Sequence, residues 1–403
     1  MGKIPKIRFK GHSQEWTSYR LGDIGETYTG LSGKSKEDFG HGEGRYVTYM
    51  NVFTNPIASP EGIASIEVDV SQYAVRKGDI LFTTSSETPD EVGMSSVWLY
   101  DMPHTYLNSF CFGFRPSIDI NPYFSAFLMR SPRIRESFYL LAQGISRFNI
   151  SKQKAMDIEF EMPSLDEQKK IGEFFKNLDD LINFRQSKLD KLRQMKVSLL
   201  SQMFPCGTEE YPRIRFKGFT EPWERKKIGD VTTMYSGGTP TTSVRAYYDG
   251  DIPFIRSGEI HDDRTELVIS ELGLQQSSAK MVDKGDILMA IYGATSGEID
   301  ISQIHGAINQ AILCIKYDMD KYFFKCSWER NVKSVIDLYL QGAQGNLSAQ
   351  LVKQVDMLFP SEEEQLKIGN FFHGIDESIK ASIQEIKKLK TIKQSLLNGV
   401  FVP

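Results

Sequence analysis

Cysteine is scarce in this chain, and paired cysteine motifs are absent. Cys111, Cys206, Cys314 and Cys326 are spread over 403 residues with no C-x-x-C pair, which excludes a disulfide scaffold and a zinc ribbon. They are expected as buried free thiols in a reducing cytosol. Histidine is equally thin, and His12, His41, His104, His261, His305 and His373 form no metal-ligand spacing. No run approaches the ~18 uninterrupted apolar residues of a membrane helix, and the opening Met1–Lys6 holds no apolar signal core. The expectation is a soluble, cytoplasmic protein with no membrane partner. An excess of positive charge is also missing: 48 Lys and Arg stand against 52 Asp and Glu, a net −4. Any nucleic-acid contact therefore has to come from local clusters of cations.

Catalytic signatures are missing too. Asn121-Pro122-Tyr123-Phe124 resembles an adenine-methyltransferase loop but lacks its second proline and any preceding F-x-G-x-G turn; a proline at a helix start explains it better. Gly30–Ser35 departs from a phosphate-binding loop at Tyr28, where glycine is required. Pro89-Asp90-Glu91 has no Glu-x-Lys strand at close range, and Asp38-Phe39-Gly40 lacks every other kinase element. No enzyme acting alone is indicated.

What is present is a tandem duplication. Pro5–Gly11 (PKIRFKG) recurs as Pro212–Gly218 (PRIRFKG), and at the same offset of 207 Trp16 falls on Trp223 and Lys77–Leu81 (KGDIL) on Lys284–Leu288. Beyond that strand the offset becomes 197: Glu167-Gln168 matches Glu364-Gln365, Lys170–Gly172 matches Lys367–Gly369, and Phe174-Phe175 matches Phe371-Phe372. The halves agree at their edges and diverge inside, so one scaffold carries two different bodies.

Each half closes on an amphipathic segment. Steps of four and three from Ile171 pass through Phe175, Leu178, Ile182, Arg185, Leu189, Leu192, Lys196, Leu199 and Met203. From Ile368 they pass through Phe372, Ile375, Ile379, Ser382, Ile386, Leu389, Lys393, Leu396 and Val400. A sustained 3.5-residue period is a coiled-coil seam. Ser164-x-x-Glu167 and Ser361-x-x-Glu364 fit capping boxes, placing both helix starts. Since helix 164–203 spans about 60 Å at 1.5 Å per residue and only about ten residues link it to the second body, the two helices are expected to pair antiparallel, with a body at each end and a pseudo-twofold axis between.

The bodies read as mixed α/β modules. Strands are expected near Arg45–Val52, Gly78–Thr83, Phe110–Phe114, Asp251–Ile255, Asp286–Ile291 and Ala311–Ile315, with helices near Pro122–Leu141 and Lys321–Leu340. Residues 1–20 and 211–227 each carry a net charge of +4. Polar loops follow in both copies. Those of the first hold Lys34, Lys36, Arg45 and Tyr46, then Thr84 and Ser85 after KGDIL, then Arg147 and Asn149 in Gln143–Asn149. Those of the second hold Thr239, Thr241, Thr242, Arg245, Tyr247, Tyr248 and Arg256, then Tyr292 and Thr295, then Asn346 in Gln344–Ser348. Such side chains suit phosphates and base edges. Any one of them alone reads as a surface turn; recurrence in both copies raises them as sets.

Two divergent bodies, each opened by R-F-x-G and a Trp, each holding KGDIL and each closed by P-S-x-x-E-Q-x-K-I-G-x-F-F, resemble the specificity subunit of a type I restriction–modification system. The resemblance covers essentially the whole chain. It implies an α/β (α+β) fold with two target recognition domains in pseudo-twofold tandem repeat, at 1–162 and 206–359. Two long helices, 163–205 and 360–403, would separate them as an antiparallel coiled coil. Each domain would read one half of a bipartite asymmetric site in double-stranded DNA, while the helices dock two methyltransferase subunits and, through them, restriction and translocase subunits. This chain would be non-catalytic and without cofactors, with S-adenosylmethionine, ATP and Mg²⁺ used by the partners. The alternatives are a self-contained methyltransferase or nuclease, and a coiled-coil scaffold that reads no DNA.

Overall fold

A computed structural model of the chain describes residues 4–205, 207, 209–339 and 346–402, with 338 and 339 described through the backbone alone. Cys206, Gln344 and Gly345 lie outside the described residues. By contact the chain divides into two units, Met1–Gln186 with Gln384–Pro403, and Ser187–Ile383, the boundaries falling inside the two long helices.

In the first unit, strand Thr17–Arg20 pairs antiparallel with Glu159–Met162, Thr17 opposite Met162, so the start and end of the body are zipped together. Between them lies a four-stranded antiparallel sheet in the order Gly25–Thr29, Cys111–Pro116, Ile80–Thr83, Ser95–Val97. A three-stranded sheet runs Ile63–Ile66, Phe39–Val47, Thr105–Leu107, its last pair parallel. The second unit repeats the zip, with Glu224–Lys227 against Asp356–Phe359. Its first sheet has the order Thr233–Ser236, Ile312–Lys316, Ile287–Ala290, Ile299–Ile301, and its second Leu267–Ile269, Ile252–Ile255, Gly306–Ile308, Lys280–Val282.

The KGDIL repeat has a physical reason. Gly78 and Gly285 adopt φ of +91° and +92°, open only to glycine without strain, and the turn delivers a buried aspartate to the sheet. Asp79 accepts from Tyr28 Oη at 2.7 Å and from Arg115 through Nε and Nη2 at 2.9 and 2.7 Å. Asp286 accepts from Lys316 Nζ at 2.5 Å. Both carboxylates find cations on a neighbouring strand, as buried charge requires.

Two expected elements are corrected. Chain 45–52 is not one strand: Phe39–Val47 ends at Thr48, whose side chain accepts from Asn51 N and caps a helix over Tyr49–Thr54. Helix 122–141 is two helices, Pro122–Leu128 and Pro132–Leu141, because Pro132 has no N–H to continue the first ladder and restrains the residue before it. Asn121 caps the first of them, its side chain accepting from Phe124 N.

The long helices are Leu165–Met203 and Glu362–Val400, 39 residues each. Their apolar seam positions, from Ile171 to Leu199 and from Ile368 to Leu396, are all buried or half-buried. In the first unit Lys393 pairs with Asp179 at 2.5 Å and Arg185 with Glu385 at 3.1 Å; one number rises as the other falls, so these stretches run antiparallel. In the second unit Lys196 meets Asp376 at 2.8 Å and Phe204 packs on Phe372 at 5.9 Å, again antiparallel. Three of the four polar breaks in the seam thus carry ion pairs. The capping boxes are met only in part: Glu364 N donates to Ser361 Oγ at 3.4 Å, but the carboxylates of Glu167 and Glu364 are held by Arg8 and Arg215.

Candidate functional site

In both bodies the loop that precedes the final strand is hydrogen-bonded to the stretch after KGDIL. Ile150 N donates to Thr84 O at 3.0 Å, and Leu347 N to Ile291 O at 2.9 Å. These are the same junction in the two copies. In the first unit it extends into a two-residue ladder, Phe148 opposite Ser86 and Asn149 opposite Ser85, and Gln143 and Asn149 exchange both backbone bonds at 3.0 and 2.9 Å. Thr84, Ser85, Arg147 and Asn149 are thereby brought to one place. In the second unit the junction brings exposed Asn346 beside exposed Tyr292 and the Gly293–Thr295 turn.

A cleft of about 290 Å³ opens beside the first junction, lined by Ser85 and Arg147. Its other walls are Tyr49, Met50 and Phe53 from the short helix and Phe110, which sequence reasoning missed, together with Ser86, Glu87 and Glu91. Met50 and Phe110 are 58% and 55% exposed. Solvent-facing large apolar side chains gathered at a cleft were the available signal, but only the fold gathers them.

Lys34, Lys36, Arg45 and Tyr46 lie away from that cleft. Lys34 is taken by Asp69 at 2.7 Å, and this ammonium with the Ser71 hydroxyl holds the Asp69 carboxyl well below the usual carboxylate range. Arg45 Nη1 donates to Gly42 O and Gly44 O at 3.0 and 2.7 Å, bracing its own turn. Tyr46 packs edge-on to Phe39 at 5.2 Å. Lys36 is exposed.

The second unit folds its polar loop back on itself. Thr239 Oγ1 donates to Gln310 Oε1 at 2.5 Å and Tyr248 Oη to Pro240 O at 2.7 Å. Tyr247 is half-buried, its carbonyl accepting from Ser270 N at 2.9 Å. Thr241, Thr242 and Arg245 are left exposed. Arg256 is held by Glu259 at 2.9 Å and Glu266 at 2.5 Å, and these carboxylates push its pKa up. Among the described residues no group of three or more His, Cys, Asp or Glu is placed to hold a metal ion. No described helix is long and apolar enough to cross a membrane.

These duplicated α/β bodies, each joined to long helices and each presenting a different polar loop set at the same junction, define a tandem recognition scaffold. The chain belongs to the family described as type I restriction modification DNA specificity domain, whose pattern matches it twice, over residues 13–194 and 220–391. The putative type I restriction enzyme MjaX specificity subunit of Methanocaldococcus jannaschii is 23% identical over 99% of this chain and 93% of that protein. The S subunit of the type I restriction–modification system from M. genitalium shares the fold, with a TM-score of 0.64 at 14% identity and 99% of both chains covered. A chain from a study of complex assembly and conformational transition of the type I R-M system has a TM-score of 0.59 at 16% identity, covering 96% of this chain and 97% of that one.

Proposed function

We propose that this chain is the DNA-reading subunit of a type I restriction–modification complex, each body reading one half of a bipartite, asymmetric site in double-stranded DNA. One observation carries the reading. The two bodies keep the same frame and the same hydrogen-bonded junction, at Thr84 and at Ile291, yet the side chains displayed around it differ. A fixed frame with exchanged contents is what two independent half-site readers require.

The long helices serve in this reading as the platform for two methyltransferase subunits, through which restriction and translocase subunits join. Adenine methylation from S-adenosylmethionine and the ATP- and Mg²⁺-dependent steps belong to those partners, and the complex works in the cytoplasm. A net charge of −4 fits a subunit whose partners supply much of the phosphate neutralisation.

Exchange of residues 213–359 for the corresponding body of another family member tests the proposal through the methylated motif of cells carrying the hybrid. One half of the motif should change and the other should stay. A motif altered in both halves, or unaltered, would sink it.

A further inference from the structure

The cleft of the first unit answers to a more particular chemistry. Tyr49 and Phe53 stack at 5.8 Å and 18° along one side. Phe110, in the same lining, is more than half exposed, with the Arg147 guanidinium 6.0 Å from its ring centre. Phe110 is not a loose side chain on a loose loop, because its N–H donates to Asn108 Oδ1 at 2.9 Å and its carbonyl accepts from Thr84 Oγ1 at 2.7 Å. An apolar side chain held open in this way, with a cation beside it, suits the groove edge of a base pair and the phosphate that flanks it.

Two carboxylates complete the lining. Glu91 is engaged by Ser86 Oγ at 3.0 Å. Glu87 is exposed and has neither hydrogen bond nor ion pair among the described residues. A carboxylate on a surface that meets phosphates costs affinity unless a donor meets it, since it can only accept. Among major-groove base edges the exocyclic amino groups of cytosine and adenine donate, whereas the keto oxygens of guanine and thymine would repel it. At the offset of 207 the second body has Ala294 in place of Glu87.

Resting on the DNA-reading function above, we propose that this cleft is the subsite for one amino-bearing base, cytosine or adenine, of the first half-site. Glu87 accepts its amino N–H, and the Phe110–Arg147 pair lies along the groove edge at that step and its flanking phosphate. The second body, with Ala294 there, makes no such selection.

The test uses the complex assembled with its methyltransferase subunits, wild-type and Glu87→Gln, on duplexes carrying each base in turn at every position of the first half-site. The wild-type complex should prefer cytosine or adenine at one position by about tenfold or more, the scale of a good side-chain–base contact. A duplex whose base there lacks only the exocyclic amino group should lose the same factor. Glu87→Gln, which can donate as well as accept, should compress that preference to within about threefold and leave the second half-site untouched. Preservation of every first-half preference in Glu87→Gln, or indifference to amino deletion at each cytosine and adenine of that half-site, would overturn the subsite. A variant that fails to assemble leaves the decision to the amino-deleted duplexes on wild-type protein. Weakened assembly with the methyltransferase and unchanged base preference would assign the cleft to a protein partner and overturn it as well. A wild-type complex with no base preference at all would refute the DNA-reading function itself.

Discussion

Arg8 grips Glu167 through two parallel hydrogen bonds, Nε to Oε1 at 2.7 Å and Nη2 to Oε2 at 2.8 Å. Arg215 holds Glu364 in the same way, at 2.8 Å twice. These are the R-F-K-G and E-Q motifs of each copy closing on one another, locking the start of each body to the first turn of its helix. The adjacent glutamines finish the joint: Gln168 Nε2 donates to Pro163 O and Gln365 Nε2 to Pro360 O, each at 3.0 Å. Part of the positive charge of the opening segments is thus structural.

Removing the arginine leaves a carboxylate with 1% side-chain exposure facing only the His12 ring, 3.8 Å away. Arg8→Ala should therefore destabilise the first unit by about 3 kcal/mol, the low end for a broken buried pair because Arg8 keeps partial contact with water. Replacing both partners by methionine or leucine should recover most of that loss. Denaturant unfolding of the single and double variants checks it, and equal losses in both would contradict the account.

Glycine inside a helix ordinarily costs about 1 kcal/mol relative to alanine, so Gly→Ala is expected to stabilise. At Gly172 and Gly369 the sign should reverse. A Cβ on Gly172 would lie 2.6 Å from Phe124 N, and one on Gly369 would lie 1.8 Å from Asp320 Oδ1. Both sites are where a capped body helix sits down on the long helix. Alanine at either should lower the thermal midpoint, with a net cost of about 1–3 kcal/mol from overpacking.

His261 bonds two carboxylates in the second unit, Asp300 through Nδ1 at 2.7 Å and Glu298 through Nε2 at 3.1 Å. Asp300 also accepts from Lys325 at 2.8 Å, and Lys325 faces Glu329 and Asp376 at 3.8 and 4.0 Å. The bond to Asp300 raises the His261 pKa above its ordinary 6.5. Its contribution to stability is accordingly full below about pH 6.5 and fades as pH rises through the raised value. Burial alone would lift the Asp300 carboxyl, but His261 and Lys325 bring it down to about 2; that contribution is present above its ordinary 3.8 and is lost as pH falls toward 2. The wild-type midpoint should fall as pH rises above about 6.5, and in His261→Gln that fall should be lost. A pH profile identical to wild type would exclude His261 as the titrating group.

Two arginines of the second body should behave differently. Arg245, exposed in its turn, should when changed to alanine weaken DNA binding by the complex about tenfold and leave the thermal midpoint unchanged. Arg256→Ala frees Glu259, whose side chain is only 9% exposed, and should lower the midpoint while the methylated motif stays the same. Gel-shift titration and calorimetry on both variants separate the roles.

The duplication, the two long helices and the shared KGDIL motif are legible because each is a local property. An offset can be read by self-comparison, a 3.5-residue seam needs only neighbouring turns of one helix, and a five-residue motif is written in adjacent residues, although the turn its glycine makes is shown only by the structure. The Tyr49–Thr54 helix was harder, since its β-branched and aromatic surroundings suit a strand, and only the Thr48 cap tips the balance.

What the tertiary structure alone decided is which polar side chains are already spent. Lys34 and Arg256 look like Lys36 and Arg245 in sequence, but Asp69 lies 35 residues from Lys34 and Glu266 lies 10 from Arg256. Whether a charge is neutralised thus depends largely on partners brought near by the fold, although Arg256 also has one, Glu259, within three residues. The cleft is the extreme case. Met50, Glu87, Phe110 and Arg147 belong to four separate loops and helices. No periodicity links them, because what places them together is the sheet register and the junction at Thr84, long-range hydrogen bonds that the chain makes only once it has folded.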